Sequence, residues 1–382
     1  MPASFVTCEQ VRAGHPDKFC DQVADAILDA ALEAARAEPR PRVAFPTIRT
    51  GIEVLAKDNL VLVSGEARFS PDVARHVDVD TLVRRKWRDL GYPGADNLVV
   101  INHIRSQQPE LQASSDRRGA GDQGVMIGFA TRETPSHLPM EFVLATRLCE
   151  RMDSLLGQLP WLMPDGKAQV TVSPAREVTR VVVGAQHTQA IDGVTDSQEV
   201  WDLVHDGVMK HVVEPVLGSG ISPQAVTING TGSFAIGGSF GDAGVVGRKI
   251  VADAYGPTVP VGGGAFSGKD PTKVDRSAAY MARLIALAAL DDADPSAESV
   301  TIRLAYAIGR HQPEMVVGLT DKGVDVSSWV HQKFPDLSPS YIADRLDLWR
   351  TSPDATWRYQ DACVYGHFGR KGFPWELRHG QL

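Results

Sequence analysis

The sequence predicts an α/β protein of the α+β kind, in which mixed or antiparallel sheets are faced by helices. Two observations support this class. The β-rich runs occur in pairs joined by short turns, and amphipathic helical segments lie between the pairs. With 382 residues, the chain is long enough for two or three domains with ample hydrophobic cores. It contains neither a repeat of fixed period nor a low-complexity linker.

The first helix is predicted to follow the segment G-H-P-D-K at residues 14–18, because proline is favoured in a first helical turn. Its apolar stripe consists of Phe19, Val23, Ile27 and Ala30. The residues that fall off this stripe include Asp21, Asp25 and Asp29. His15, Asp17 and Lys18 cluster at the helix N-terminus. They could contact a metal-bound phosphate, although by themselves they favour the simpler interpretation of helix capping.

The other predicted elements follow from periodicity and from turn residues. They are a hairpin at 51–69, a helix at 73–90, a strand at 98–104, a helix at 140–155, a loop at 159–167, a hairpin of 169–172 and 177–186, a helix at 196–215, strands at 300–309 and 314–319, and helices at 326–334 and 339–349. Glu53 and Glu66 lie within the first hairpin, where solvent exposure is the usual environment of a carboxylate.

A polar segment at 106–118 lacks a periodic apolar face and leads into G-A-G-D-Q-G at 119–124. A polar loop beside a glycine-rich turn is typical of a lid over a binding site, or of a mobile linker. Asp122 in this turn is equally consistent with an ordinary turn aspartate.

The segment 262–276, G-G-G-A-F-S-G-K-D-P-T-K-V-D-R, carries the highest local density of glycine and charge. Its glycines let the backbone come close to a ligand. Asp270 is predicted to cap a helix that begins at Pro271 and ends near Leu290. Lys269 and Lys273 would then flank a helix N-terminus, which favours a polyphosphate. A glycine-rich surface loop before an ordinary helix is the alternative.

This segment also resembles a P-loop, G-x-x-x-x-G-K-[ST], at Gly263, Gly268 and Lys269. Asp270 stands where the motif needs a hydroxyl for magnesium. The preceding residues include Pro257 and Pro260, which disfavour the central strand that a P-loop follows. A Walker-type NTPase is therefore disfavoured.

Composition limits the possible partners and compartment. The net charge of −8 and the pI near 5.8 argue against a broad nucleic-acid or membrane-binding surface. The four cysteines, which are Cys8, Cys20, Cys149 and Cys363, form no C-x-x-C pair, so neither a zinc site nor a disulfide framework is expected. No signal-peptide-like or membrane-spanning apolar run is present, which favours the cytoplasm.

The motifs at 14–18, 119–124 and 262–277 occur in this order, and Y-G-H-F-G-R follows at 365–370. With these motifs the chain resembles the methionine adenosyltransferase (S-adenosylmethionine synthetase) family over essentially its whole length, as a divergent bacterial-type member. The resemblance implies three similar α/β domains related by pseudo-threefold symmetry. Their boundaries would be 1–104, 117–238 and 239–382, with chain crossover between domains and a lid loop at 105–118.

The resemblance also implies an activity. ATP, L-methionine and water would yield S-adenosylmethionine, phosphate and diphosphate through a tripolyphosphate intermediate, with two Mg²⁺ per site and K⁺ as cofactors. Homodimers with active sites at the interface, and possibly homotetramers, would be the assemblies. A neutral thioether nucleophile needs no general base. The demand falls instead on cations that stabilise the departing triphosphate.

The resemblance assigns roles residue by residue. The catalytic set would be His15 on the bridging oxygen, the triphosphate-binding Lys167, Arg248, Lys249 and Lys269, and Asp122 near the developing sulfonium. The ATP-binding set would add Asp165 on the ribose, Phe234 on adenine, and Ser233, Asp242 and Ala265. The methionine set would be Glu66, Gln107, Asp242 and Lys273. The metal ligands would be Asp17 and Asp275 for Mg²⁺ and Glu53 for K⁺.

The sequence departs from the usual family pattern at several of these motifs. Ile52 replaces a cysteine, Ser233 an arginine, Gly230 a proline and Val261 a histidine. These departures leave two alternatives open. One is a related adenosyltransferase with altered nucleotide or methionine-analogue preference, and the other is a non-catalytic regulatory subunit.

Overall fold

The computed structural model describes residues 4–38, 48–106, 119–352 and 354–377. Its helices are α1 (Pro16–Ala37), α2 (Pro71–Ala74), α3 (Val79–Asp89), α4 (Met140–Ser154), α5 (Ser197–Val208), α6 (Glu214–Leu217), α7 (Gly238–Gly241), α8 (Ile250–Asp253), α9 (Val274–Asp292), α10 (Ser327–Lys333), α11 (Pro339–Arg345) and α12 (Tyr359–Ala362). Gln107 and residues 107–118 of the predicted lid lie outside the described residues.

The strands are β1 (Val6–Val11), β2 (Arg49–Lys57), β3 (Leu60–Arg68), β4 (Val99–Ser106), β5 (Gly124–Thr131), β6 (Leu162–Val172), β7 (Val178–His187), β8 (Val226–Ile228), β9 (Gly244–Val245), β10 (Ser299–Tyr306) and β11 (Met315–Thr320). They form three sheets with the orders β1-β6-β7-β8, β11-β10-β5 and β4-β3-β2-β9, here called sheets one, two and three.

The three sheets share one arrangement. Each contains an antiparallel hairpin, β6-β7, β10-β11 or β2-β3, and its first strand pairs antiparallel with a strand from a distant segment, β1, β5 or β9. In sheets one and three, the second hairpin strand also pairs with a parallel strand, β8 or β4. The sheets therefore do not coincide with contiguous segments, and the boundaries 1–104, 117–238 and 239–382 stay predictions.

One long helix packs on each sheet. Helix α4 contacts β1 and β6 of sheet one, α9 contacts β5 and β10 of sheet two, and α1 contacts β2 of sheet three. Helix α1 is shared between two cores, because Val23 and Ile27 join the core of sheet three while Leu28 and Leu32 join that of sheet two. The predicted fold class, mixed α/β with sheets faced by helices, is confirmed. Within the described residues, no helix combines the length and the apolar character that crossing a bilayer would require.

Several predicted elements need correction. The helix predicted at 73–90 is two helices, α2 and α3, because Asp78 caps the second by accepting a hydrogen bond from the Thr81 N–H at 3.3 Å. The loop predicted at 159–167 is largely strand β6, which pairs with both β1 and β7. The helix predicted to begin at Pro271 begins at Val274.

The late start of α9 has a local cause. The carboxylate of Asp270 accepts hydrogen bonds from the N–H of Thr272 at 2.9 Å and from the N–H of Thr50 at 2.9 Å. Asp270 therefore ties the turn to strand β2 instead of capping the helix, and Lys273 occupies the N-cap position.

Gly128 sets how closely α9 packs on sheet two, and this gives a stability prediction. A Cβ at Gly128 would lie 1.9 Å from the carbonyl oxygen of Ala282, so the helix would have to move. We expect Gly128→Ala to lower the free energy of unfolding by about 1–3 kcal/mol, the usual cost of overpacking.

Urea unfolding followed by far-UV circular dichroism measures this change. The matched control is Gly220→Ala, because a Cβ there meets nothing within 4 Å. That control should stay within about 0.5 kcal/mol of the wild type. Equal stability of the two variants would contradict the close contact.

Candidate active site

A cleft of about 570 Å³ opens beside the N-terminus of α1. Its wall is formed by strands β1, β6 and β7 and by the segment 229–242. The predicted residues that line it are His15, Asp165, Lys167, Ser233, Phe234 and Asp242. Because a tight loop joins β1 to α1, the helix N-terminus faces the end of sheet one.

Asp17 follows His15 and Pro16, which line this cleft, and its carboxylate is bound by two cations and a backbone N–H. Its side chain is 2% exposed and contacts Lys249 Nζ at 2.6 Å and Arg248 Nη1 at 3.7 Å. The Val245 N–H donates to its Oδ1 at 2.9 Å. Burial alone would raise the pKa of Asp17, but the Lys249 ammonium and the Val245 N–H hold the pKa below its usual value. Asp17 is therefore ionised at neutral pH.

His15 caps α1 through its ring. Nδ1 accepts a hydrogen bond from the Asp17 N–H at 3.2 Å. Burial in the first place, and the charge of Lys249 in the second, lower the pKa of His15 to about 3. A neutral imidazole whose Nδ1 accepts must carry its proton on Nε2. His15 therefore offers one N–H donor at the cleft, and the capping interpretation is confirmed alongside it.

The lowered pKa makes the stability of the fold depend on pH. An unfolded histidine, with a pKa of about 6.5, binds a proton that folded His15 does not, so stability falls as pH drops from about 6.5 towards 3. At about 1.4 kcal/mol per pH unit, the loss at pH 5 is about 2 kcal/mol.

We expect His15→Asn to remove this component, because asparagine can cap the helix but does not titrate. Urea unfolding at pH 7.5 and pH 5 is the measurement, and the wild type should lose about 2 kcal/mol more than the variant between the two pH values. An identical pH dependence in both proteins would contradict the burial of a neutral imidazole.

Asp165 and Lys167 lie in strand β6 at the base of the cleft. Both oxygens of Asp165 accept backbone hydrogen bonds, from the Gly166 N–H at 2.6 Å and the Gly238 N–H at 2.8 Å. Burial raises the pKa of Asp165 against these two donors. Lys167 is 57% exposed and contacts Glu9 at 3.3 Å, so its ammonium is accessible to a bound anion.

Phe234 stands on the cleft wall and is held by His187. The Phe234 N–H donates to Nε2 of His187 at 2.9 Å, and the His187 N–H donates to the carbonyl of Phe234 at 3.1 Å. Sequence reasoning missed His187. Ser233 and Asp242 lie nearby with exposed side chains.

A second cluster lies at the N-terminus of α9, beside the glycine triplet. Lys269 Nζ contacts Asp275 Oδ2 at 2.5 Å. A Cβ at Gly264 would fall 2.2 Å from Cγ of Asp275, and one at Gly124 would fall 3.4 Å from its Oδ1. The glycine triplet and the G-A-G-D-Q-G turn therefore both pack against Asp275, which brings the turn of Asp122 to this cluster.

The remaining predicted residues distribute around this second cluster. Glu53 lies on β2, where burial raises its pKa and the charge of Lys269 partly offsets the rise. Glu66 on β3 is half-buried and pairs in register with Gly51, which also forms a bridge to Lys269. Lys273 contacts Asp270 at 3.0 Å.

The two clusters are distinct in this chain. Asp17 contacts Lys249 and Arg248, whereas Asp275 contacts Lys269. Ala265 connects the two regions, because a Cβ at Gly247 would lie 2.6 Å from Cβ of Ala265. The site residues stay predictions, and the sequence did not predict that their ion pairs fall into two groups.

The predicted metal ligands are compatible with magnesium. The described residues contain no group of three or more His, Cys, Asp or Glu side chains that could hold a metal alone. Mg²⁺ in proteins commonly takes one or two carboxylates and completes its shell with water and phosphate oxygens. A single carboxylate in each cluster, Asp17 or Asp275, fits that pattern. The K⁺ ligand Glu53 stays a prediction.

Sequence reasoning also missed a buried ionic layer behind the cleft. Arg12 is fully buried, contacts Asp153 at 2.7 Å and donates to the carbonyls of Met163 and Asp165. On α1, Asp21, Asp25 and Asp29 are all buried and paired. Their spacing of four residues along an otherwise apolar helix was the available signal.

The fold and the site together define a mixed α/β protein with two lysine–aspartate clusters of a kind suited to polyphosphate. The chain matches the S-adenosylmethionine synthetase N-terminal domain at residues 3–109, the central domain at 117–234 and the C-terminal domain at 236–377. The chain therefore belongs to the S-adenosylmethionine synthetase family.

Curated relatives agree with this assignment. The chain is 39% identical to the S-adenosylmethionine synthase of Petrotoga mobilis, over 98% of this chain and 96% of that protein. It is 39% identical to that of Gloeobacter violaceus over the same shares, and 39% identical to that of Nostoc punctiforme over 97% of this chain and 92% of that protein.

Proposed function

We propose that this protein synthesises S-adenosylmethionine from ATP and L-methionine, with release of phosphate and diphosphate through tripolyphosphate. The observation that carries the proposal is the pair of lysine–aspartate contacts, Lys249 with Asp17 and Lys269 with Asp275. Each pairs a cation suited to phosphate with a carboxylate suited to Mg²⁺. The name that the relatives carry points to the same reaction.

The main requirement of the reaction is stabilisation of the leaving group, the triphosphate. The methionine sulfur attacks C5′ of ATP as the C5′–O bond breaks, and negative charge accumulates on the triphosphate. Lys167, Arg248, Lys249 and Lys269 bind this charge. The neutral His15, with its proton on Nε2, donates to the bridging oxygen. Asp17 and Asp275 would hold Mg²⁺, which would supply further charge stabilisation when bound.

The other roles in this proposal are those that the resemblance to the family assigns. Phe234 stacks on adenine from the cleft wall. Asp165, Ser233, Asp242 and Ala265 complete the nucleotide contacts. Glu66, Gln107, Asp242 and Lys273 bind methionine, Asp122 lies near the sulfonium, and Glu53 binds K⁺. The exposed Ser233 supports a looser adenine contact than an arginine would give.

We further propose a homodimer in which each active site joins the cleft of one copy to the Lys269 cluster of the other. The division of the predicted residues into two clusters supports this assembly. The outer face of sheet three supports it as well, because Leu55, Val99 and Ile101 are 38–51% exposed there. Pairing of dimers into homotetramers is a further possibility for the same family.

The compartment we propose is the cytoplasm, where ATP is available. All four cysteines are free and buried, which suits a reducing environment. No nucleic-acid or membrane partner is proposed.

The test is direct. The purified protein is incubated with ATP, L-methionine, MgCl₂ and KCl, and mass spectrometry looks for S-adenosylmethionine with equimolar phosphate and diphosphate. Formation of the sulfonium product supports the proposal. Its absence at every K⁺ concentration, with Lys269→Met as the inactive control, would reject it. The regulatory-subunit alternative would gain support only from inactivity alone and activation of a catalytic relative.

A further inference from the structure

Four aspartates on α1 form a row that we call the carboxylate row. They are Asp17, Asp21, Asp25 and Asp29, spaced by four residues so that they share one helix face. Counted over the whole residue, all four are at most 1% exposed. Buried carboxylates are uncommon unless they are paired, so the partners of each one show what the row does.

Each aspartate accepts a hydrogen bond from a backbone N–H of a segment far along the chain. Asp17 accepts from Val245 at 2.9 Å, Asp21 from Gly247 at 2.9 Å, Asp25 from Gly268 at 2.8 Å, and Asp29 from Tyr359 and Gln360 at 3.0 Å each. The row therefore fastens three separate C-terminal segments to one helix.

Asp21, Asp25 and Asp29 each also pair with a buried cation. Lys18 contacts Asp21 at 2.8 Å, Arg276 contacts Asp25 at 2.6 Å, and Arg350 contacts Asp29 at 2.9 Å. Lys18 also contacts Asp253. Each of these carboxylates therefore has its own cation. If the carboxylate of Asp21 is removed, Lys18 still contacts the carboxylate of Asp253.

Two of the fastened amides belong to glycines that directly precede the proposed phosphate-binding cations. Gly247, with φ of 74°, precedes Arg248 and Lys249. Gly268, with φ of 80°, precedes Lys269. Glycine allows a wide range of backbone conformations. A hydrogen bond to its N–H limits that range and so limits the position of the Cβ atom of the next residue.

The two glycines differ in how many contacts hold them. Gly268 is also bound through its carbonyl to the Ile52 N–H at 3.1 Å. Asp25 is bound to Arg276 by two hydrogen bonds, at 2.8 and 2.6 Å. Near Gly247, the Val246 N–H donates to the Val54 carbonyl at 3.1 Å and Lys249 contacts Asp17 at 2.6 Å. Asp21 and Gly247 form the chosen test, because Gly247 directly precedes two of the proposed cations.

We propose that Asp21 is a positioning residue for triphosphate binding, since it holds the Gly247 N–H and thereby places Arg248 and Lys249. Asp25 does the same for Lys269 through Gly268. The proposal rests on the proposed function, because that function assigns the three cations to triphosphate. Asp21 acts through the loop and does not touch the substrate.

The chain offers a matched control in Asp29. It lies on the same helix face, is equally buried, and holds two amides and a cation. The segment that it fastens, around Tyr359, contains none of the predicted site residues. If the row only stabilises the fold, substitutions of Asp21 and Asp29 should have the same effect on catalytic activity. If Asp21 positions the cations, only its substitution should lower that activity.

The experiment compares Asp21→Asn with Asp21→Leu. Both remove the charge and have similar size, but only asparagine keeps an oxygen that can accept from Gly247. We expect Asp21→Leu to lower kcat/KM for ATP by roughly 10- to 100-fold, the usual range for displaced catalytic groups, with KM for methionine unchanged. Asp21→Asn should stay within about threefold of the wild type, and so should Asp29→Leu per folded molecule.

Each outcome decides the proposal. It is overturned if folded Asp21→Leu keeps the wild-type kcat/KM for ATP, if Asp21→Asn falls as far as Asp21→Leu, or if Asp29→Leu falls equally. Asp21→Ala replaces the leucine variant if that one does not fold. Failure of both acceptor-free variants to fold, while Asp29→Leu folds, would assign Asp21 to the fold alone and would also overturn it.

A wild type without synthase activity would reject the proposed function and leave this inference open to a separate measurement. Binding of inorganic tripolyphosphate, followed by calorimetry, is then the readout. It should weaken in Asp21→Leu and persist in Asp21→Asn and Asp29→Leu. Equal binding by all three would overturn the positioning role.

Discussion

Replacing Lys269 with methionine is expected to lower kcat for S-adenosylmethionine formation by about a thousandfold. One charge contact at 4 Å is worth about 4 kcal/mol at an effective dielectric near 20, and each 1.4 kcal/mol is about tenfold in rate. Methionine keeps an unbranched apolar stem and removes only the ammonium. The loss should therefore fall on the step in which triphosphate departs.

Stability should change far less. The Lys269 side chain is 22% exposed and its partner Asp275 is 12% exposed, so water can solvate the carboxylate that is left. We expect a loss of about 1–2 kcal/mol in the free energy of unfolding. Single-turnover kinetics and urea unfolding are the two measurements.

The control for this variant is Lys322→Met. The Lys322 ammonium contacts Ser296 in a surface turn and no predicted site residue. It should keep the wild-type rate. A folded Lys269→Met variant with turnover within about threefold of the wild type would contradict a role on the leaving group.

Mixing two inactive variants is expected to restore activity, which is the largest change in the opposite direction. Lys249→Met removes a cation from the cluster of Asp17, Arg248 and Lys249, here called the cleft cluster. Lys269→Met removes the cation from the second cluster, which contains Asp275. If each site joins one cluster from each copy, a mixed dimer has one doubly altered site and one intact site. Random mixing at equal amounts should then recover about a quarter of the wild-type activity, and purified mixed dimers should show about half of it.

Co-expression with two affinity tags isolates the mixed dimers, and product formation per dimer is the measurement. The matched control pairs Lys249→Met with Arg248→Met. Both changes lie in the cleft cluster, so every mixed site stays altered and no activity should return. Recovery in neither pair would place both clusters of each site in one copy and would contradict the proposed interface.

Local sequence patterns predicted many of the helices and strands. Pro16 and the apolar stripe of α1 predicted that helix, and the turn at Lys57 and Asp58 predicted the hairpin β2-β3. Strands β1, β5 and β9 were not predicted, because their partners lie more than a hundred residues away. An isolated short strand gains its stability from that distant pairing, which local periodicity does not record.

The sequence assigned residues to the site, and those assignments stay predictions, but it did not predict how the residues are arranged. Motif resemblance assigned Lys249 and Lys269, and the structure divides them between two clusters. Asp21 and Asp25 were missed as buried groups, since helical periodicity alone places an aspartate beside an apolar stripe towards solvent. Arg276, the cation that pairs with Asp25, lies on α9 and reaches it only after the chain has folded.

Each sheet pairs its hairpin with a strand from a distant segment, and this affects how the chain folds during synthesis on the ribosome. In sheet three, the hairpin β2-β3 is complete at Arg68, but β9, which pairs with β2, is complete only at Val245. The edge of β2 therefore stays unpaired while nearly half of the chain is synthesised. Such edges attract other nascent chains, so we expect early release by premature stop codons to yield aggregation-prone fragments that depend on chaperones.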